Sequence, residues 1–219
     1  MKIKTLFVFD IDDTLTQTAL LHQQLFIAAL KGLGVEKMDT AFGEYKHHTD
    51  AYIAELIFEK DRNAAFEEKH MLQMQKSILA QIKNHRIAEI KGAKALVDYL
   101  EESESYGLCY ATGSLHTPAL YKLEQIGIQN FESKLAASNE IQERENIVKT
   151  AIELAKSFYG QETFEKVISV GDGLWDLKTA RNLNLDFIGI GDRNRAALKE
   201  AKAPLLYSDL QEFLVEKLS

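Results

Sequence analysis

The stretch FVFDIDDTLT, residues 7–16, joins a short apolar run to a group of carboxylates. The run is rich in aromatic and β-branched residues, which predicts a buried strand ending at Phe9. Three acids, Asp10, Asp12 and Asp13, follow that strand at once. Because ligands in open α/β sheets bind beyond the carboxyl ends of the strands, these acids are the first candidates for a functional site.

The rest of the chain shows two different patterns. Residues 16–90 carry apolar side chains at helical spacing and contain no convincing strand. After Gly92, apolar strands alternate with amphipathic helices, as in a parallel sheet with right-handed crossovers. We therefore predict an α/β fold with a Rossmann-like parallel sheet core. This core comprises residues 1–15 and 91–219, and a helical domain of residues 16–90 is inserted after the first strand.

Composition and charge argue against several classes of function. The formal net charge of −7 disfavours binding to nucleic acid or to an anionic membrane, because phosphate groups select basic surfaces. No stretch approaches the ~20 apolar residues of a membrane span. The apolar run that ends at Phe9 is too short for a signal peptide, and the single cysteine, Cys109, cannot form an internal disulfide. We expect a cytoplasmic protein without nucleic-acid or membrane partners, either a monomer or a homodimer.

Two later strands also end in polar residues, within ATGS (residues 111–114) and GDGLWD (residues 171–176). Carboxylates gathered at one sheet edge raise each other's pKa values unless a cation neutralises them. Magnesium prefers such oxygen ligands, together with water and substrate phosphate. Asp10, Asp172 and Asp176 are therefore predicted to form a Mg²⁺ site that a phosphate monoester can join.

The same residues suit phosphoryl transfer to a carboxylate next to a metal. Such a transfer depends mainly on in-line positioning and charge neutralisation. Asp12 lies two residues after Asp10 in an extended segment, so its side chain points to the same side, about 6–7 Å away. That position suits a general acid that protonates the leaving alkoxide and later acts as a base toward water.

These motifs resemble those of haloacid dehalogenase (HAD) superfamily hydrolases. Residues 7–15 resemble the first motif, Thr112 the second, and residues 171–176 the fourth. The order and spacing of these motifs fit the superfamily over essentially the whole chain. The helical insertion resembles the cap domain of phosphoglycolate phosphatase-like members. The resemblance implies a HAD-like fold, an aspartyl-phosphate intermediate on Asp10, and acid/base catalysis by Asp12.

The resemblance also implies the contacts of the phosphate and of the metal. The substrate phosphate is expected to contact Thr112 and Gly113. The expected metal ligands are Asp10, the backbone carbonyl of Asp12, and Asp172, with Asp176 in support.

The third motif of the family is a lysine or arginine near the start of a helix, which the resemblance implies reaches the nucleophile and the substrate phosphate. Arg144 and Lys149 are the candidates in this sequence, and the lysine-proline pair that is usual in the family is absent. We predict Arg144, because it precedes the apolar helical stripe and therefore lies near the sheet edge where the other motifs meet.

The segment around residues 45–50 is the candidate for substrate contacts within the insertion. Thr49 and Asp50 predict the start of a helix. The family resemblance implies that Tyr45, His47 and His48 face the substrate, because phosphoglycolate phosphatase-like members carry a Thr-Asp pair at a comparable position.

These observations predict a Mg²⁺-dependent phosphoric monoester hydrolase that acts on a small phosphorylated metabolite. Phosphoglycolate-like compounds, sugar phosphates and nucleoside monophosphates are the candidate substrates. One alternative is a phosphomutase related to β-phosphoglucomutase, which passes the phosphoryl group to a sugar hydroxyl. Another is a non-catalytic phospho-accepting module, against which Asp12 argues because a stable switch needs no positioned acid.

Overall fold

The computed structural model describes residues 2–217, so the outer limits of the predicted core, residues 1 and 218–219, lie outside the described residues. A six-stranded sheet forms the centre of the molecule, with the strand order β3-β2-β1-β4-β5-β6 and parallel pairing throughout. The predicted α/β fold with a parallel sheet is confirmed. The strands are β1 (Thr5–Phe9), β2 (Tyr106–Ala111), β3 (Leu135–Ala136), β4 (Lys166–Gly171), β5 (Asp186–Ile190) and β6 (Leu205–Tyr207).

Three α-helices and a short 3-10 helix (Phe42–Glu44) lie between β1 and the first core helix, and we call residues 16–90 the cap. The cap helices are α1 (Ala19–Gly32), α2 (Asp50–Arg62) and α3 (Glu68–Ile82). The core helices are α4 (Ala93–Glu101), α5 (His116–Gln125), α6 (Arg144–Tyr159), α7 (Leu174–Asn182), α8 (Arg195–Glu200) and α9 (Leu210–Lys217). Within residues 2–217, no helix is both long enough and apolar enough to cross a membrane.

The central strand β1 is buried on both faces, which explains its continuous apolar sequence. Phe7 and Phe9 pack toward α4, α5 and α9, whereas Leu6 and Val8 pack toward α6 on the other face. This alternation follows from the two-residue period of a strand. Burial of each such side chain contributes about 1.5–3 kcal/mol to the hydrophobic stabilisation of the core.

The cap helices enclose a hydrophobic cluster of their own. Apolar side chains of α1, α2 and α3 meet there, among them Phe26, Leu30, Ile57, Met74 and Ile78. Leu115, next to the start of α5, also joins this cluster and so connects the cap to the core. The predicted domain boundaries at residues 15/16 and 90/91 stay a prediction.

The chain turns sharply where it leaves β1. Asp13 adopts a left-handed backbone conformation with φ of 58°, which aspartate tolerates better than most residues. Its amide donates a hydrogen bond of 2.7 Å to the carbonyl of Thr16. The turn leaves Asp10 at the carboxyl end of the sheet, beside the residues that follow β2 and β4.

Candidate active site

A cavity of about 420 Å³ lies at the carboxyl end of the sheet, between the core and the cap. Seven of the residues predicted from the sequence line it, whereas Asp176 does not; the seven are Asp10, Asp12, His48, Thr112, Gly113, Arg144 and Asp172. Other core residues in the lining are Ser114, Trp175, Arg193 and Asn194, and the cap supplies Ala19, His22, Gln23, Phe26, residues 40–44, residues 48–50 and Ile53. The structure therefore brings the predicted residues together from strand ends far apart in the sequence.

Arg144 is the first residue of α6, and its guanidinium is buried among carboxylates. Its Nη2 donates hydrogen bonds of 2.6 Å to Oδ1 of Asp10 and of 2.6 Å to Oδ1 of Asp176. Burial opposes the charge on Arg144, but the carboxylates of Asp176 and Asp10 raise its pKa well above the usual value. Lys149, the other candidate, is exposed on α6 and does not line the cavity.

The carboxylates of Asp10, Asp172 and Asp176 form a buried cluster in which the possible ligand oxygens lie within 4.8 Å of one another. Burial raises the pKa of Asp10 to about 7, and the charges of Asp176 and Asp12 add to that rise, although Arg144 opposes it. Burial and the neighbouring carboxylates also raise the pKa of Asp172 to about 9. The positive charge of Arg144 does not balance the charges of the three carboxylates. Their hard oxygen donors fit a divalent cation such as Mg²⁺, which would neutralise them.

Hydrogen bonds fix the orientation of the two later aspartates. Asn194 donates a bond of 3.0 Å from Nδ2 to Oδ2 of Asp172. The amide of Gly173 donates one of 3.1 Å to Oδ2 of Asp176. A Cβ atom at Gly171 would lie 2.4 Å from the carboxylate of Asp176, so only glycine leaves room for this arrangement.

Asp12 makes a dense set of hydrogen bonds. Its oxygens accept bonds from Oγ1 of Thr18 (2.5 Å), Oγ of Ser114 (2.6 Å) and Nζ of Lys122 (2.6 and 2.8 Å). Burial alone would raise the pKa of Asp12, but the charge of Lys122 and the hydrogen bonds from Lys122 and Ser114 hold it well below the usual range. The predicted acid is thus a carboxylate in this arrangement.

Lys122 was missed by the sequence analysis, although its position in α5 carries a signal. Its side chain is fully buried, and it shares a helix face with the buried residues Ala119 and Leu123. A lysine in the apolar stripe of an amphipathic helix needs a buried partner, since lysine is almost never fully buried unless paired. The partner, Asp12, could not be identified from the helix pattern.

His22 and Asp50 are two further residues that the sequence analysis did not assign to the site. Nε2 of His22 lies 2.9 and 3.0 Å from the two carboxylate oxygens of Asp50. The amide of Asp50 donates to the carbonyl of Gly113 at 2.8 Å, and the amide of Leu115 donates to Oδ2 of Asp50 at 3.0 Å. α2 begins at Asp50, with Thr49 as its N-cap residue, and this helix start contacts the core at the turn before α5.

His48 also joins the cap to the core. Its ring stacks on Trp175, with centroids 4.0 Å apart and planes 5° from parallel. Burial and the nearby charge of Arg144 lower the pKa of His48 to about 4, so the ring is neutral at pH 7. Tyr45 and His47 do not line the cavity, and their contact with the substrate stays a prediction.

Gly113 has no room for a side chain. A Cβ atom at this position would lie 2.5 Å from the carbonyl oxygen of His48 and 2.6 Å from Nη1 of Arg144. The glycine therefore lets the cap and the arginine approach the backbone beside Thr112. Thr112 itself is buried, and its Oγ1 accepts a hydrogen bond of 3.1 Å from the amide of Ser114.

The sequence model of one family, described as haloacid dehalogenase-like hydrolase, matches residues 7–190. Among solved structures, a hydrolase from Pseudomonas syringae is similar, with a TM-score of 0.72 and 17% identity over 98% of this chain and 97% of that one. CbbY from Rhodobacter sphaeroides, solved with phosphate, has a TM-score of 0.71 and 17% identity, over 97% and 96% of the two chains. A predicted phosphoglycolate phosphatase from Haemophilus somnus has a TM-score of 0.66 and 15% identity, over 98% of each chain. The search of curated proteins found no match.

Proposed function

Because the chain belongs to the haloacid dehalogenase-like hydrolase family, we propose that it is a magnesium-dependent phosphatase acting on a small phosphorylated metabolite. The observation that carries the proposal is the setting of Asp10. This carboxylate lines the cavity, accepts a hydrogen bond from Arg144, and lies in an acidic cluster with Asp172. Its position combines a nucleophile, a fixed positive charge and a candidate cation site.

In the proposed reaction, an oxygen of Asp10 attacks the phosphorus atom of the monoester and the bond to the leaving oxygen breaks. Asp12 is a carboxylate before the substrate binds, so it first takes up a proton from water or from the monoanionic phosphate. It then passes this proton to the leaving oxygen, and the released alcohol departs. Water then attacks the phosphorus of the aspartyl phosphate while Asp12 accepts its proton, so inorganic phosphate leaves and the carboxylate of Asp10 is restored. When bound, Mg²⁺ neutralises charge on the phosphate oxygens and the surrounding carboxylates.

Other residues of the cavity position the phosphoryl group. The buried guanidinium of Arg144 offsets negative charge beside Asp10 throughout the reaction. We assign the phosphate contacts to Thr112 and the backbone of Gly113, both of which line the cavity. CbbY, which was solved with phosphate, has a similar fold, and this supports phosphate as a ligand of the proposed site. We also propose a cytoplasmic location, which the single cysteine favours.

Removal of the metal is expected to abolish the activity. We expect release of phosphate from p-nitrophenyl phosphate with Mg²⁺, its loss in EDTA, and its return when Mg²⁺ is restored. Asp172→Asn is expected to weaken the response to Mg²⁺, because it removes a charged ligand, whereas the exposed Asp186→Asn serves as a control. Undiminished turnover in EDTA would contradict the metal requirement. A protein that keeps the phosphoryl group without releasing phosphate would favour the non-catalytic module.

Stability provides a second readout of metal binding that needs no turnover. Asp10 and Asp172 have pKa values raised from 3.8 to about 7 and about 9. Their contribution to stability is therefore full below pH ~4 and is lost as pH rises toward these values. Mg²⁺ at about 100 times its Kd adds ~2.7 kcal/mol to the free energy of unfolding. We expect Mg²⁺ to raise the unfolding temperature more at pH 8 than at pH 5, and equal shifts would contradict this cluster as the site.

The cap side of the cavity favours a leaving group without negative charge. Among the described residues from Ala19 to Ile53 that line it, none is a lysine or arginine, and His48 is neutral. Glu44 adds a negative charge to this lining. Arg193 lines the cavity from the core, but its Nη1 donates a hydrogen bond of 3.0 Å to Oδ2 of Asp13. Its positive charge is therefore already paired with a carboxylate. We therefore propose uncharged, hydroxylated leaving groups, as in sugar or polyol monophosphates.

A matched pair of esters tests this charge selection. Glycerol 3-phosphate and 3-phosphoglycerate differ by a hydroxymethyl group against a carboxylate. We expect kcat/KM to favour the glycerol ester by about tenfold, because a second negative charge meets no cation in the cap. Glu44→Lys is expected to reduce the preference, whereas Glu36→Lys, with the same change in charge outside the cavity, is not. A preference of the unaltered protein for 3-phosphoglycerate would contradict the proposal.

A further inference from the structure

The buried ammonium group of Lys122 has no role in the reaction as described so far. The side chain of Lys122 is fully buried in α5, and Lys122 is absent from the residues that line the cavity. Its Nζ lies 2.6 and 2.8 Å from the oxygens of Asp12, 3.1 Å from Nδ1 of His22 and 3.2 Å from Oγ of Ser114. Lys122 therefore sits behind Asp12, on the side away from the substrate.

The hydrogen bonds around Lys122 have a definite direction. An ammonium group only donates, so Nδ1 of His22 must accept from Lys122. In a neutral ring, Nε2 of His22 then carries the hydrogen and donates to Asp50. The result is a continuous chain in which Lys122 donates to Asp12 on one side and to His22 on the other, and His22 donates to Asp50.

This chain crosses from the core to the cap. Lys122 and Ser114 belong to the core, whereas His22 and Asp50 belong to α1 and α2 of the cap. The cap is held there by the hydrogen bond from the amide of Asp50 to Gly113. If the cap moved away from the core, Lys122 would lose the His22 acceptor, although Asp12 and Ser114 would remain.

A buried ammonium group requires acceptors in fixed positions, because its desolvation is otherwise strongly unfavourable. Asp12 is an acceptor for Lys122, and Lys122 in turn restrains Asp12. Its Nζ contacts both oxygens of Asp12 and thereby limits the rotation of that carboxylate. Thr18 and Ser114 add one hydrogen bond each to the same two oxygens. The carboxylate is thus held on one side while it faces the cavity on the other.

Resting on the proposed phosphatase function, we propose that Lys122 is a positioning residue for Asp12. It fixes the carboxylate of Asp12 in the orientation needed at the leaving-group oxygen, and contact between the cap and the core completes this hold through His22. Lys122 does not touch the substrate, so its effect is transmitted through Asp12. The consequence is selective: steps that need proton transfer by Asp12 depend on Lys122 more than steps that do not.

Two aryl esters of similar shape separate these steps. p-Nitrophenolate leaves readily without a proton, whereas phenolate is the stronger base and depends more on proton donation. We expect Lys122→Met to lower the ratio of kcat/KM for phenyl phosphate to kcat/KM for p-nitrophenyl phosphate by about tenfold, because kcat/KM reports formation of the aspartyl phosphate and not its hydrolysis, which both esters share. Hydrolysis of p-nitrophenyl phosphate by the unaltered protein tests the proposed function separately. An unchanged or increased ratio in Lys122→Met would overturn the role of Lys122.

Lys134 provides a matched control. It is also a fully buried lysine, and its Nζ donates to Glu101 away from the cavity. Lys134→Met is expected to lower the unfolding temperature and to leave the ratio of the two esters unchanged. A fall in the ratio of equal size in Lys134→Met would overturn the proposal, because the effect would then follow from lost stability alone.

A milder variant covers the case in which Lys122→Met does not fold. Ser114→Ala removes the hydroxyl that donates to Asp12 at 2.6 Å and lies 3.2 Å from Nζ of Lys122. Loss of a single hydroxyl group leaves the surrounding packing in place. We expect the same ratio to fall in this variant by about threefold, a small part of the roughly 10²–10⁴-fold that general acid-base catalysis contributes. A constant ratio in Ser114→Ala would overturn the proposal.

Discussion

Asp10→Asn is expected to reduce the release of phosphate from p-nitrophenyl phosphate by about 10³-fold or more, because an amide cannot take the place of the carboxylate nucleophile. The replacement has nearly the same shape, so the position at the end of β1 stays filled. Initial rates with saturating Mg²⁺ measure the loss. Trapping of radiolabelled phosphate on the unaltered protein, and not on the variant, would locate the covalent step at Asp10.

The fold of this variant is expected to remain intact, which separates lost chemistry from lost structure. Burial raises the pKa of Asp10 to about 7, so above that pH the folded protein contains a charged, buried carboxylate, which lowers its stability. A neutral side chain avoids this cost, although it weakens the contact with Arg144. Thermal unfolding of both proteins at pH 8 provides the comparison. Full activity of a correctly folded Asp10→Asn protein would exclude the proposed nucleophile.

Arg144→Met is expected to have the second largest effect, and it acts on activity and stability together. The guanidinium is hydrogen-bonded to Asp10 and Asp176, and its removal leaves two buried carboxylates without their partner. Loss of one partner from a buried ion pair costs about 3–5 kcal/mol of folding free energy. Loss of charge stabilisation in the transition state is expected to lower kcat/KM by about 10²–10³-fold.

Lys149→Met is the matched control on the same helix. This lysine is exposed on α6, so its loss is expected to change the free energy of unfolding by only about ±0.5 kcal/mol. Its kcat/KM for p-nitrophenyl phosphate should stay within about twofold of the unaltered protein. Urea unfolding and steady-state kinetics on both variants make the comparison. A larger loss of activity in Lys149→Met than in Arg144→Met would reverse the assignment of the phosphate-contacting cation.

The local sequence was sufficient to predict the parallel sheet and the acids at its edge. Apolar runs such as residues 6–9 can be recognised because both faces of a central parallel strand are buried. Asp10 and Asp172 could be placed together because parallel strands end at the same edge. Short edge strands were missed, namely β3 with two residues and β6 with three, because such segments become strands only through pairing with β2 and β5.

Polar residues within buried surfaces were beyond the reach of sequence patterns. His22 lies on the buried face of α1 and bonds to Asp50, which is 28 positions away in the sequence. Lys122 bonds to Asp12 across 110 positions. Helix periodicity identifies the buried face but does not identify a hydrogen-bond partner on another element.

The sequence by itself determined the order of the motifs, the class of fold and the acids that gather at the sheet edge, because these depend on local periodicity and strand direction. The sequence also favoured Arg144 over Lys149, but only the tertiary structure decided that the Arg144 guanidinium is buried and hydrogen-bonded to Asp10. The tertiary structure also decided that Lys122 holds Asp12. The physical reason is that the charge state and orientation of a buried group depend on partners that only the packed chain brings within hydrogen-bond distance.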